Sequence, residues 1–312
     1  MQSVNILPAK RLFINPTSAF KAVNNIGNPD LGSESATTWS TGFIINDGGF
    51  TATVDYWSYD LTDPFQTEDP NQIVNAYSAP SATNPFGQGC FDGGVGAPIV
   101  NGVPVPTPDC TELRTHIVPT GVAPPGVERI DVHVINGSDL KTSGIDATAE
   151  YDYEGVFNGV LSFGVTGTYT IEYDSDDFKD IGGVTLAPGG DFVGKMNIGT
   201  PFTSLPDLKG NAWTKYVHGP HRATLMARYV SAYDDDTAST TQLKHVDSMT
   251  YLDFYYNVSL FDDTVLLSAG VINLADEEPP LTSTNLNYDP YTADPFGRMY
   301  KIGLTYTMGG SK

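Results

Sequence analysis

The residues of this chain that could do chemistry are two cysteines, five histidines and an excess of carboxylates. Cys90 and Cys110 lie in one stretch rich in glycine and proline. Such a pair in a protein outside the cytosol favours a disulfide that pins a single loop. No second cysteine or histidine lies at the spacing of a zinc site, and His116 is the nearest further candidate ligand. The sequence therefore predicts no metal site and no cofactor.

The carboxylates indicate solvated surface and not catalysis. Asp174–Asp177 and Asp234–Asp236 are dense acidic runs within polar stretches. Runs of this kind usually cover a solvated loop, and binding of a divalent cation is the weaker alternative. The sequence contains no nucleophile elbow, no histidine-rich cluster and no glycine-rich phosphate loop. We therefore predict that the protein is not an enzyme, and we assign no catalytic residue.

Charge and hydropathy exclude two further classes of protein. The chain has 16 Lys and Arg against 37 Asp and Glu, a net charge of −21, whereas nucleic-acid binding needs clustered basic side chains. No window approaches the ~20 consecutive apolar residues of a membrane-spanning helix. A β-barrel is not excluded, because its strands need an apolar residue only at every second position.

The first twenty residues show no signal peptide.

A two-residue alternation of apolar and polar residues dominates the chain. It is clearest in Ile145–Tyr153, Gly159–Tyr173 and Tyr300–Met308, where apolar residues take every second position. Six further segments fit the same pattern: 36–47, 49–61, 208–217, 221–233, 246–261 and 264–273. Several run well beyond the ~5–6 residues of a globular strand, and tilted transmembrane strands need about 9–11. The pattern therefore predicts about nine long membrane strands.

The connections between these segments alternate strictly between short and long. Four short links consist of turn residues: Asp47–Gly49, Glu154–Asn158, His218–Pro220 and Asp262–Asp263. The links between them are long: 62–140, 174–207, 234–245 and 274–297. Outer-membrane barrels combine tight periplasmic turns with extended outer loops in this way. The sequence therefore predicts an all-β fold, an antiparallel transmembrane β-barrel in the outer membrane of a Gram-negative bacterium.

Strand parity orients the predicted barrel. If the last strand ends on the periplasmic side, all the short turns are periplasmic and all the long loops are extracellular. Glu128–Asn136 also alternates, but as a membrane strand it would reverse this parity, so we assign it to a ladder within the 62–140 outer loop. The predicted organisation is an extracellular segment leading into the barrel at 1–35, barrel strands over 36–308 and a tail at 309–312.

The two faces of the strands have different predicted surroundings. A charged side chain costs about 2–4 kcal/mol at mid-membrane on the lipid face, so the face carrying Asp, Glu and Thr is expected to line the lumen. Tyrosines near strand ends would then form aromatic girdles at the membrane interfaces. The tyrosines placed there are Tyr151, Tyr153, Tyr173, Tyr233 and Tyr300.

Four segments resemble motifs of the TonB-dependent outer-membrane receptors, in the order in which that family has them. Asn28–Leu31 with Glu34 resembles the family's Asn-Pro-Asp-Leu-x-x-Glu segment, and Thr142–Asp146 resembles the Thr-Ser-Gly-Ile-Asp start of a late strand. Val271–Asp276 is similar to the penultimate strand and its exit, and Gly297–Tyr300 to the start of the closing strand. Together the matches extend over nearly the whole chain.

The resemblance implies a 22-stranded barrel with an N-terminal plug. It also implies active import, energised by the inner-membrane proton gradient through a TonB-type partner that grips a short N-terminal box. The nine strands would be the last nine, an incomplete barrel that forms an open curved sheet. The plug, the box, about thirteen strands and the export signal would then lie outside this sequence. Members usually end on an aromatic residue, so Met308 at that position predicts weaker recognition by the insertion machinery.

Three functions remain open. The first is uptake of a scarce nutrient, either an iron chelate, cobalamin or an oligosaccharide, with Phe65, Tyr77 and Phe86 as candidate contacts whose commoner role is loop packing. The second is a smaller porin or adhesin barrel, which the odd strand number disfavours. The third is a soluble enzyme or a carbohydrate-binding β-sandwich, which explains neither strand length nor loop asymmetry. The expected partners are the lipid bilayer, the energy-transducing protein and a small substrate, and no residue is assigned to substrate.

Overall fold

The computed structural model describes residues 2–6, 19–78, 87–90, 95, 97, 99–100, 103–119, 127–197, 203–236, 244–284 and 286–308. Two short helices and a series of strands make up its regular structure. In chain order these are β1 (Gln2–Ile6), β2 (Ala19–Ile26), β3 (Ser35–Asp47), β4 (Phe50–Thr62), β5 (Phe65–Thr67), α1 (Pro70–Tyr77), β6 (Ile99–Val100), β7 (Val103–Pro104), α2 (Pro108–His116), β8 (Ile117–Pro119), β9 (Val127–Asn136), β10 (Leu140–Val156), β11 (Gly159–Ser175), β12 (Phe178–Lys179), β13 (Thr185–Ala187), β14 (Gly190–Asp191), β15 (Leu208–His218), β16 (His221–Val230), β17 (Tyr233–Asp234), β18 (His245–Val246), β19 (Met249–Leu260), β20 (Val265–Ile272) and β21 (Met299–Tyr306). Neither helix in the described part of the chain is long and apolar enough to cross a membrane.

Nine long strands form one antiparallel sheet in the order β21-β20-β19-β16-β15-β11-β10-β4-β3, with the short β14 added beside β11. Strands that are neighbours in this sheet are also consecutive among the nine along the chain. These nine are the strands expected from the alternation, so the all-β prediction is confirmed. The sheet does not close, because among the described residues β3 pairs only with β4 and β21 only with β20.

The short links are tight hairpin turns, as predicted. Gly48 and Gly49 join β3 to β4 with φ values of 56° and 87°, and Phe157 and Asn158 join β10 to β11 with φ values of 44° and 59°. Positive φ at both central residues is the backbone of a type I′ turn, whose twist matches that of the strands it connects. Glycine and asparagine adopt this conformation readily, which suits Gly48, Gly49 and Asn158 to these positions, and Phe157 adopts it as well.

A second, smaller sheet lies outside the large one. Its order is β1-β2-β9-β5, with β8 also on β9, and the β2–β9 pair is parallel. The prediction that Glu128–Asn136 is not a strand of the large sheet is thus confirmed, since β9 belongs to this second sheet. The helices α1 and α2 also belong to the 62–140 connection, and both were missed by the sequence analysis.

Among the described residues, most buried apolar side chains lie in the loops, and Met249 and Tyr251 at the start of β19 are the exceptions on the large sheet. The main cluster joins α1, α2, β9 and the β12–β13 hairpin through residues such as Ile73, Leu113 and Ile130. On the large sheet, by contrast, bulky apolar side chains are open to the surroundings: Ile302 is 92 % exposed and Leu304 68 %. Continuous exposed apolar surface of this kind is rare on soluble monomers and marks a surface that another medium covers.

The tyrosines predicted for the girdles have two different environments. Tyr151, Tyr153 and Tyr300 are exposed at 39–72 % on strands of the large sheet. Tyr233 is only 2 % exposed, so its assignment to a girdle is wrong. It lies beyond the end of β16, in β17, where the loop residues Asp289 and Thr292 bind its hydroxyl group.

Candidate functional site

One face of the large sheet carries polar and charged side chains. Arg228 of β16 and Asp253 of β19 form a two-point ion pair there, with Nε–Oδ2 and Nη2–Oδ1 distances of 2.8 and 3.3 Å. The Oδ1 atom of Asp253 also accepts a hydrogen bond from the backbone of Asn273 at 2.9 Å. Lys209 and Asn211 of β15 extend the same face beside Arg228, around a cleft of about 340 Å³. Polar groups thus run across several neighbouring strands on this face.

Two tryptophans on the polar face lie against glycines of the neighbouring strand. Trp57 is directly opposite Gly144, and Trp213 is directly opposite Gly164. A methyl group at either glycine would lie 2.2–2.4 Å from the indole ring, so the absence of a side chain makes room for each ring. An aromatic ring that covers a strand glycine stabilises the sheet locally. It also presents a flat apolar surface on an otherwise polar face.

An acidic cleft of about 560 Å³ lies at the long-loop end of the large sheet. Its charged lining residues are five aspartates and one lysine: Asp63, Asp139, Asp174, Asp176, Asp177 and Lys179. At least one of these carboxylates stabilises the loop in which it lies, since Asp177 accepts a hydrogen bond from the backbone of Gly189 at 2.8 Å. The excess of negative charge attracts cations and disfavours the approach of anions to this end of the sheet.

The two helices of the 62–140 connection begin at well-defined caps. Asp69 precedes α1 and accepts a hydrogen bond from the backbone of Asn71 at 2.7 Å, with Pro70 at the first helical position. Thr107 and Pro108 begin α2 in the same way. A capping residue followed by proline is a sequence signal for a helix start. The sequence therefore contains a signal for the start of both helices.

Glu68 is a buried carboxylate that ties several loop segments together. It is 1 % exposed. Its Oε2 atom accepts from the backbone nitrogen of His133 in β9 at 2.7 Å, and its Oε1 atom accepts from the backbone of Ile181 at 2.8 Å. Glu68 therefore joins the 62–140 connection to the 174–207 connection, and both of its oxygens are used in doing so.

His116, the last residue of α2, is completely buried beside Glu68. Its Nδ1 atom lies 3.0 Å from the backbone oxygen of Asp131, and its Nε2 atom lies 3.6 Å from Oδ2 of Asp180. Burial alone would lower the pKa of His116, but the neighbouring Asp180 and Glu68 carboxylates outweigh this effect and raise the pKa above its usual value. The pocket around His116 therefore favours positive charge. Glu112, one helical turn earlier, completes a group of possible ligand atoms with His116 and Asp180.

A second buried network holds the last long loop. The Tyr233 hydroxyl donates to Oδ2 of Asp289 at 2.6 Å, and Thr292 donates to the same oxygen at 3.0 Å. Burial and the Asp289 carboxylate hold the pKa of Tyr233 well above its usual value, so the phenol keeps its proton. Because Tyr233 follows β16 and Asp289 precedes β21, this network fixes one long loop against another.

The residues singled out from the sequence have different places in the structure. Cys90 and Cys110 form a disulfide with Cα atoms 5.1 Å apart, and it joins α2 to the segment after α1. Tyr77 packs against the main loop cluster, and its hydroxyl accepts from Arg114 at 3.4 Å. Phe65 is 50 % exposed, and Phe86 lies outside the described residues. Of the three candidate substrate contacts, Tyr77 thus has a packing role and Phe65 is open to solvent.

Comparison with known proteins identifies the family. The sequence model of the β-barrel of TonB-dependent receptor-like proteins matches residues 9–274, most of the chain. The chain belongs to the TonB-dependent receptor β-barrel family. This family consists of transport receptors of the Gram-negative outer membrane. No curated protein sequence is significantly similar to the chain.

Solved structures of TonB-dependent receptors share the fold at low sequence identity. The FrpB iron transporter of Neisseria meningitidis is 15 % identical, with a TM-score of 0.52 over 92 % of this chain and 33 % of its own. A ferric enterobactin receptor of Pseudomonas aeruginosa is 12 % identical, with a TM-score of 0.52 over 94 % and 34 %. The siderophore receptor PirA of Acinetobacter baumannii is 13 % identical, with a TM-score of 0.51 over 90 % and 33 %. The chain therefore spans about a third of the length of these receptors.

Proposed function

We propose that this chain forms the last nine strands of a longer outer-membrane receptor that imports a scarce nutrient with energy from a TonB-type protein. The observation that carries this proposal is the large sheet, which within the described residues is open at both edges and exposes bulky apolar side chains along its strands. Lipid covers an apolar strand face in outer-membrane barrels, and the polar face lines the lumen. Arg228 and Asp253 then lie on the lumen wall.

The open edges support a barrel that further strands complete. β3 has 13 residues and β21 has 8, and each pairs on one side only within the described chain. An unpaired backbone group in the hydrocarbon region costs several kcal/mol, so only closed barrels cross membranes as sheets. In the complete receptor, additional strands would pair with β3 and β21. We assign the plug and the segment that binds the energy-transducing partner to the same additional part of the receptor.

The proposed orientation follows from the two kinds of connection. The hairpin turns lie on the periplasmic side, and the loops that carry α1, α2 and the second sheet lie outside the cell. In this arrangement residues 1–35 lead into the barrel from the outside, residues 36–308 contain its strands, and residues 309–312 are a periplasmic tail. A disulfide between Cys90 and Cys110 suits this oxidising exterior.

Of the three nutrient classes, we favour an iron chelate that is neutral or positively charged. The relatives named as a ferric enterobactin receptor and as a siderophore receptor favour an iron chelate as the nutrient class. The preferred charge of the chelate follows only from the residues of this chain. The acidic cleft and the net charge of −21 would repel an anionic chelate and attract a cationic one. Trp57 and Trp213 offer flat apolar surfaces for the organic part of such a chelate along the polar face.

Nutrient uptake in whole cells tests the proposal. The gene is deleted in its host, and import of radioactive iron is measured for hydroxamate chelates that are cationic or neutral and for an anionic catecholate chelate. We expect the deletion to abolish import of a cationic or neutral chelate, and loss of the TonB-type protein to abolish it equally. Import that persists without the TonB-type protein would contradict active transport and favour a porin. Loss of anionic chelate import alone would contradict the charge argument.

A further inference from the structure

The buried ring of His116 presents an unused nitrogen to a buried carboxylate. Its Nδ1 atom lies 3.0 Å from the backbone oxygen of Asp131 and therefore carries the proton that this hydrogen bond needs. In the neutral ring, Nε2 is then a lone-pair donor. The other ring nitrogen of a metal-bound histidine is held in this way, because the bond fixes the tautomer and the ring orientation.

The atom opposite Nε2, Oδ2 of Asp180, likewise has no hydrogen-bond partner among the described residues. Asp180 is 5 % exposed, and its Oδ1 atom accepts from the backbone of Val184 at 2.7 Å. Its Oδ2 atom faces His116 Nε2 at 3.6 Å, and neither of these two buried atoms has a hydrogen-bond partner among the described residues. Buried polar atoms are almost always satisfied, so two unsatisfied ones that face each other indicate a ligand between them.

The separation of these two atoms suits a shared metal ion better than a direct bond. A hydrogen bond from an imidazole nitrogen to oxygen measures 2.7–3.2 Å, so 3.6 Å is too long. Two ligand atoms on one tetrahedral zinc ion, each at about 2.1 Å from it, lie about 3.4 Å apart. A lone pair and a carboxylate oxygen at this distance repel each other unless a cation lies between them.

Glu112 supplies a third ligand from the same helix face. It precedes His116 by four residues on α2, and side chains at this spacing are neighbours on a helix. Its carboxylate lies against Gly182, where a methyl group would come within 2.2 Å of it, so the side chain points toward the Asp180 loop. One possible ligand atom from each of Glu112, His116 and Asp180 lies within 4.8 Å of the other two.

We propose that Glu112, His116 and Asp180 bind a divalent first-row transition-metal ion, of which Zn²⁺ is the probe. One imidazole and two carboxylates are ligands that such ions accept, whereas Ca²⁺ and Mg²⁺ prefer oxygen ligands alone. Glu68 is a neighbour of the proposed site and not one of its ligands. Its oxygens accept hydrogen bonds from His133 and Ile181, and one of them lies 3.5 Å from Nδ1 of His116. Water supplies the remaining coordination.

The proposed ion would join two long connections of the receptor. Glu112 and His116 belong to α2 in the 62–140 connection, whereas Asp180 belongs to the hairpin in the 174–207 connection. A bound ion would therefore tether two connections whose residues line the acidic cleft. This role is independent of which nutrient the receptor imports, and it was not foreseen from the sequence, because the three ligands come from two separate loops.

Metal titration of the complete receptor tests the site. The protein is purified in detergent from the outer membrane of its host, stripped with a chelator and titrated with Zn²⁺ against a chromophoric competitor. We expect the protein to bind one tight equivalent, and His116→Gln and Asp180→Asn to weaken binding about 100-fold or more, beyond the 10–100-fold typical of outer-shell changes. X-ray absorption at the zinc edge should show nitrogen and oxygen ligands with one imidazole and no sulfur.

A matched control uses another histidine that lies among carboxylates. His245 is 61 % exposed and lies 3.3 Å from Asp234 and 3.9 Å from Asp247. His245→Gln should leave the tight equivalent unchanged. Substitution of the buried residues His116 or Asp180 could prevent folding. Glu112→Gln avoids this difficulty, because Glu112 is half-buried and glutamine has the same shape as glutamate. It should weaken Zn²⁺ binding and remove any zinc-dependent protection of the two loops from protease.

Two outcomes would overturn the proposal. If the stripped receptor binds no Zn²⁺, the pocket holds only a proton on His116. If Glu112→Gln and His116→Gln both fold and retain full affinity, the ion is bound elsewhere. Preferential binding of Ca²⁺ over Zn²⁺ would likewise contradict the role of the imidazole.

Discussion

Residues 1–312 produced alone should fail to form a stable membrane-inserted monomer. The perturbation is the loss of the strands that we propose to pair with β3 and β21. In an antiparallel edge strand, every second residue directs both its N–H and its C=O outward. With 13 and 8 residues, the two edges leave about twenty unpaired backbone groups. At several kcal/mol each in hydrocarbon, this cost is on the order of tens of kcal/mol.

That cost exceeds the roughly 5–15 kcal/mol of net stability typical of folded proteins. The chain is refolded into detergent and into lipid vesicles, and its gel mobility before and after boiling, its protease resistance and its molar mass are measured. We expect aggregates that pair through their edges, with no heat-dependent shift. The complete receptor, refolded in parallel, should shift and resist protease. A protease-resistant, heat-modifiable monomer of residues 1–312 would refute the reasoning about the edges.

Three further variants of the complete receptor test specific contacts by denaturant unfolding. Gly144→Val should destabilise by about 1–3 kcal/mol, because the new side chain meets Trp57 and a strand oxygen at 2.4 and 2.7 Å. Tyr233→Phe should cost about 1–3 kcal/mol, because a buried carboxylate loses its phenol donor. Replacing Cys90 and Cys110 by Ala should cost about 3 kcal/mol for a sequence separation of 20, seen as earlier unfolding of the loops.

Each variant has a control that shares its chemistry but not its contact. Gly303→Val should be tolerated, since the nearest atom would lie at an ordinary 3.6 Å. Tyr300→Phe should change stability by less than about 0.5 kcal/mol, because Tyr300 is 72 % exposed. Reduction of the receptor by a thiol reagent should reproduce the cysteine replacement. Equal effects of variant and control would show that the named contact is not responsible.

The large sheet was predictable from sequence because its determinants are local. The alternation in Ile145–Tyr153 sets the two faces of β10, and the glycine pair Gly48–Gly49 sets a hairpin without help from distant residues. The exclusion of Glu128–Asn136 from the sheet came from parity, which is a property of the whole chain order. The bounds of β3 and β4 lie within one residue of the predicted segments, whereas β10 begins five residues before the predicted Ile145–Tyr153.

The loop architecture was less predictable, because it depends on contacts between distant residues. Tyr233 was predicted to be a girdle residue because it follows a strand, but it is buried and bonded to Asp289 from a later loop. The ligand group around His116 combines α2 with a hairpin beyond two long strands, so no sequence spacing reveals it. The helices are the exception, because the cap-and-proline pairs at Asp69 and Thr107 were readable in advance.

The central claim is that the large sheet crosses the outer membrane with one face toward lipid and the other toward the lumen. Spin labels at single cysteines along Tyr300–Tyr306 of the membrane-inserted receptor test it most directly, and no free cysteine among the described residues interferes. Labels at Ile302→Cys and Leu304→Cys should show the highest collision rates with molecular oxygen, which is concentrated in lipid. Labels at Lys301→Cys and Gly303→Cys should show the highest collision rates with a water-soluble nickel chelate. Two-residue alternation of this kind is the predicted result, and uniform access of the nickel chelate along the strand would contradict the account.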